Sequence, residues 1–81
     1  MNCETLISGL KALVAEANRH LESIAEDLEA AEKREKQAVR DGRWDLILCE
    51  RDRISKLRDR QRIWFGRAIS NLDRINNLQG A

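Results

Sequence analysis

The stretch RDGRWDLILCERDR, residues 40 to 53, decides how the chain folds. A long run with helical spacing stops at Asp41-Gly42, an indole follows at Trp44, and a second run begins among alternating acids and arginines. A glycine just beyond a helix takes the left-handed conformation without a Cβ penalty, and Arg40 sets positive charge at the negative end of the helix dipole. Asp45 falls in the first turn of the next helix, where its charge suits the opposite end. The chain is expected to reverse at 41–43.

Outward from this turn the two arms match. In the first, Ile7, Leu10, Val14, Ala17, Leu21, Ile24, Leu28, Ala31 and Ala38 follow one another by threes and fours, the seam of a coiled coil, with Glu35 intruding. Leu6, Leu13 and Ala25 are expected to widen it on one flank, giving a stripe broad enough for more than one partner helix. The second arm continues with Ile47, Ile54, Leu57, Trp64, Ala68, Leu72, Ile75 and Leu78, interrupted by Glu50 or Arg51 and by Gln61. The expected fold is all-α: one domain over 1–81, an antiparallel, coiled-coil-like hairpin with helix 1 over about 4–40 and helix 2 over about 44–79, each arm about 50 Å long. A lone hairpin leaves part of each stripe wet, so pairing of two copies into a four-helix bundle is expected.

Composition agrees with this class. Among 81 residues there is no proline, glycine occurs four times, and 36% are charged, which favours helices over sheet. The net charge is +1, without the basic excess of a general nucleic-acid binder. Residues 1–40 carry eight acids and six bases, and 41–81 carry six and nine, so opposed arms attract modestly. No apolar run approaches the ~20 residues a membrane span needs, and the start lacks a signal pattern, so no membrane partner and a cytoplasmic location are expected. Cys3 and Cys49 fall near opposite ends of the hairpin, too far apart for an intrachain disulfide, and read as thiols in a reducing compartment.

Little in the chain points to catalysis. His20 is the only imidazole; it follows Glu16 by four residues, a helix-surface pair, and has no second ligand within a turn, so neither metal nor cofactor is expected. No phosphate loop or nucleophile elbow is present, and Ser8, Ser23, Ser55 and Ser70 lack a local base. Glu26, Asp27, Glu29, Glu32 and Glu35 read as a solvated face with pairs such as Glu29–Lys33 and Glu32–Lys36.

Binding features lie in the second arm. Arg51, Arg53, Lys56, Arg58, Arg60, Arg62 and Arg67 crowd it, and a nucleic-acid contact would use Arg53, Lys56, Arg60 and Arg67. Acids share the region and the arginines are expected to point all round the helix, which favours ion pairing. Trp64 and Phe65 project ~100° apart, so one belongs in the core and the other on a flank. Trp44 has two readings: a lid over the hydrophobic end of the hairpin, or an anchor for a protein partner, with Arg43, Asp45, Leu48 and Arg51 around it.

DGRWDLILCERDRISKL, with its Gly42-Arg43-Trp44 turn leading into a helix, is similar to a segment of small helical chaperones of flagellar export, which hold protein clients on helical surfaces. The whole pattern, a short dimerising hairpin with a Trp and charges near its turn, resembles small phage-encoded anti-activators of quorum sensing. That resemblance implies a host protein as partner, a LuxR-type transcription factor whose DNA binding is blocked. Trp44 and Asp45 are the positions carried over, with Arg43 and Arg51 as neighbours.

Overall fold

A computed structural model describes residues 3–80; Met1, Asn2 and Ala81, which the single-domain reading includes, lie outside the described residues. Two helices, α1 (Cys3–Arg40) and α2 (Trp44–Gly80), pack along their whole lengths in a hairpin measuring 60 × 15 × 14 Å. No described helix is long and apolar enough to cross a membrane.

Local hydrogen bonding explains the reversal. The Gly42 N–H donates to the Val39 carbonyl at 3.2 Å and the Arg43 N–H to that of Ala38 at 3.0 Å, with Gly42 at φ 66°. These two bonds are the Schellman closure, which satisfies carbonyls the ending helix leaves open. The Ile47 N–H then donates to the Arg43 carbonyl at 3.0 Å and opens α2. Three residues separate the helices, so the second must run back along the first.

The seam is that of the heptad pattern. Ala17, Ile24, Ala31 and Ala38 of α1 meet Ile47, Ile54, Leu57, Ala68 and Ile75 of α2 as the buried apolar core, and Leu28 and Trp64 pack against it. Four of those nine residues are alanines, which let the helices approach closely and bury little area each. Glu50, and not Arg51, is the polar residue inside, only 8% exposed.

The buried carboxylate has full partners. Arg34 donates from Nε to Glu50 Oε1 at 3.0 Å across the seam, and Arg53 Nη1 lies 3.2 and 3.4 Å from the two oxygens on the same helix. Glu35 is drawn to the other lip, 3.7 Å from Arg51 Nε. The helices thus share one acidic layer whose members are pulled to opposite sides by arginines.

Several expectations are corrected. Leu72 is exposed and Asn71 half-buried, because the row Leu57, Trp64, Asn71, Leu78 advances by seven and only that advance stays on the α1 face. Leu6 and Leu13 share an edge with Arg34, whereas Ala25 shares the opposite edge with Glu32, so they do not widen one flank. Glu32 pairs with Arg58 at 3.7 Å across the seam in place of Lys36, while Glu29–Lys33 forms as expected at 3.4 Å.

Two measurements check this account. Nothing lies within 4 Å of a Cβ built on Gly42, so Gly42→Ala carries only the left-handed backbone cost, about 1–2 kcal/mol, and lowers Tm by several degrees in a thermal scan. Urea unfolding of Arg34→Ala should show a loss of about 1–3 kcal/mol, since the buried carboxylate loses its cross-seam donor, whereas Glu50→Leu should be neutral or stabilising.

Candidate functional site

Residues 44–78 of α2 are five consecutive heptads: WDLILCE, RDRISKL, RDRQRIW, FGRAISN and LDRINNL. Each heptad position forms one row along the helix. The fourth and seventh positions supply the seam. The first supplies Trp44, Arg51, Arg58, Phe65 and Leu72 on one side of it; the third supplies Leu46, Arg53, Arg60, Arg67 and Arg74 on the other. Asp45, Asp52, Asp59 and Asp73 take the second position, on the back of the helix.

The arginines of α2 leave it on both sides of the seam, as expected: Arg51 and Arg58 on one side, Arg53, Arg60, Arg67 and Arg74 on the other, and Arg62 at the fifth heptad position. Four of them, at 53, 60, 67 and 74, make a straight row, and Arg74 was missed by residue-by-residue reading although the seven-residue Asp-Arg period is visible in the letters. Arg53 is engaged by Glu50, and Arg67 lies 4.6 Å over the Trp64 ring. His20 also stacks on Trp64, with ring centroids 3.8 Å apart and planes 9° apart. His20 Nε2 also lies 3.9 Å from Glu16. His20 and Trp64 together form a clamp between the helices, a contact beyond the surface pair expected for the imidazole. Lys56 is paired with Asp52 at 2.9 Å.

At the turn, Trp44 does not cover the end of the core. It is 73% exposed, beside Leu48 at 63% and Val39 at 55%. Its backbone opens α2, so its side chain leaves the first turn on the row that passes beside the seam. Trp44, Leu48 and Arg51, at i, i+4 and i+7, share that helix face. Arg43 and Asp45 stand next to it, joined by a two-bond fork at 3.2 and 3.3 Å, so the structure brings the five residues to one end of the rod in two groups.

The same row carries a second apolar group at the far end. Phe65 is 57% exposed, and Ile69 and Leu72 extend it at i+4 and i+7. Trp64 takes the core place of the Trp64-Phe65 pair and Phe65 the flank, as their 100° offset requires.

Electrostatics at the turn are local. The Arg43 hydrogen bond holds the Asp45 carboxyl below the usual carboxylate range, helped by the Leu46 backbone N–H, and Asp45 in turn raises the Arg43 guanidinium. Among the described residues no group of three His, Cys, Asp or Glu side chains converges to hold a metal. Both cysteines are free and exposed. Comparison with known protein families, curated proteins and solved structures finds no match.

Because the folded Asp45 value lies below the unfolded one, near ~3.9, its stabilising contribution is complete above that pH and disappears as pH falls through the lower folded value. A carbon-13 NMR titration of Asp45 is expected to show the low midpoint, and in Arg43→Ala that midpoint should move upward.

Proposed function

We propose that this chain is a non-catalytic protein-interaction module. The hairpin pairs with a second copy into a four-helix bundle and grips a bacterial regulator, of the LuxR type that the anti-activator resemblance implies, through the Trp44 end. The mechanism is occupancy: a surface the regulator needs for DNA binding or dimerisation is covered.

One observation carries the reading. The bulkiest side chain beside the turn is left 73% exposed on a rigid helix, with Leu48 and Val39 exposed around it. Exposed apolar side chains grouped in this way mark contact surfaces, and Trp is the residue type most enriched among interface hot spots. Charge on the other flank supports a protein over a polyanion: the Arg53, Arg60, Arg67 and Arg74 row is bordered by the aspartate row, and Arg53 already neutralises Glu50. A nucleic-acid contact through Arg53, Lys56, Arg60 and Arg67 would meet those carboxylates as well.

The test is affinity capture from bacterial lysate with the tagged chain. Trp44→Ala is expected to lose the captured regulator, a drop of tenfold or more in affinity for a hot spot of about 2 kcal/mol, while circular dichroism keeps the wild-type helicity. Undiminished capture by a well-folded Trp44→Ala chain would show that the anchor is elsewhere.

A further inference from the structure

We infer that the Trp44 row of α2 seats a second copy of this chain, docked antiparallel, with the Trp44–Leu48 end of each helix on the Phe65–Ile69 end of the other. This rests on reading the Trp44 end as a protein-contact surface, and it names the first occupant of that surface.

The row has the spacing of a second coiled-coil seam. Trp44, Leu48, Arg51, Ser55, Arg58, Arg62, Phe65, Ile69 and Leu72 alternate four and three without a break, beside the seam that α1 fills. It is apolar at both ends and polar between. A two-fold interface must be self-complementary, and a row greasy at each end meets its own inverse with greasy ends opposed.

The polar middle is prepared for burial beside a copy of itself. Each of its three arginines already has a carboxylate on its own chain: Arg51 with Glu35 at 3.7 Å, Arg58 with Glu32 at 3.7 Å and Arg62 with Asp59 at 3.9 Å. Those carboxylates reduce the repulsion a copy would meet on this face without removing it. The hairpin also has reason to recruit one, since alanines make up four of its nine buried apolar residues.

Charge selects the direction. Parallel pairing would stack Arg51, Arg58 and Arg62 each on its own counterpart, three layers of like charge. In the antiparallel register Trp44 faces Ile69, Leu48 faces Phe65 and Arg58 faces Ser55, leaving like charge in two layers, where Arg51 of each copy meets Arg62 of the other, and bringing the apolar ends together. The two-fold axis crosses α2 between residues 56 and 57. Trp44 and Ile69 form the outermost layer of this interface, so the dimer still presents the Trp44 end, with Arg43 and Asp45, to a regulator.

Analytical ultracentrifugation and disulfide trapping test this. The wild-type chain should sediment as a dimer, and Trp44→Ala and Phe65→Ala should each shift it to monomer with helicity retained. In a Cys3→Ser, Cys49→Ser background, Leu48→Cys combined with Phe65→Cys should give a covalent dimer on mild oxidation, while either single cysteine should not. Should those variants lose helicity, spin labels on Cys49 in the Cys3→Ser chain give the same answer: antiparallel copies set the labels about 22 Å apart along the axis, parallel copies set them level. A wild-type monomer at all concentrations, efficient trapping by a single cysteine, or level labels would overturn the inference. A monomer whose Trp44 still captures a regulator would overturn it alone; a dimer and capture both indifferent to Trp44→Ala would overturn the underlying reading too.

Discussion

A buried carboxylate with a donor on the facing helix fixes how the two arms lie. Glu50 is level with Glu35, and the two are pulled apart toward Arg34 and Arg51 on opposite lips of the seam. Sliding α2 by a heptad would set Glu50 against Leu28, or carry it past the end of α1, and take it away from its Arg34 donor. Apolar layers are far less particular, because alanine and isoleucine pack nearly as well one heptad along. A polar layer inside a coiled coil gives up some stability and supplies register. The Schellman turn at Gly42 reaches the same register from the end of the hairpin, so two independent constraints agree.

Once register is fixed, each row of α2 has a defined place. The fourth and seventh heptad positions are consumed by α1. The first and third positions border the seam, and they differ in kind: one is apolar at its ends, the other almost wholly arginine. The contacts of Trp64 with His20 and Arg67 belong to the arginine side and hold that indole, half-buried, against α1. Trp44 has no such neighbours. The two tryptophans therefore have different fates for a physical reason: the seam passes through position 64 and beside position 44.

Legibility followed from how far each feature depends on one helix. Both helices, the turn and the seam of α1 were readable because the three-four spacing and a glycine stop act locally. Whether Glu50 or Arg51 entered the core was undecided in the letters, since either fits the spacing to within one residue; the Arg34 donor on the other arm decides for Glu50. Leu72 was misplaced for a related reason, hydropathy having outweighed the seven-residue advance that keeps Asn71 on the α1 face. The Asp-Arg period of α2 was legible in principle, yet it needed alignment by heptad to show that four of its arginines, at 53, 60, 67 and 74, share a row.

Sequence by itself determined that this chain is two matched helices joined at Gly42, because hydrophobic period, capping and backbone freedom are properties of neighbours along the chain. Only the tertiary structure decided that Trp44 faces solvent, that Trp64 packs against His20 and Arg67, and that Glu50 is buried. Those outcomes depend on which residue of α1 stands level with which residue of α2, and burial of a side chain is fixed by what lies opposite it.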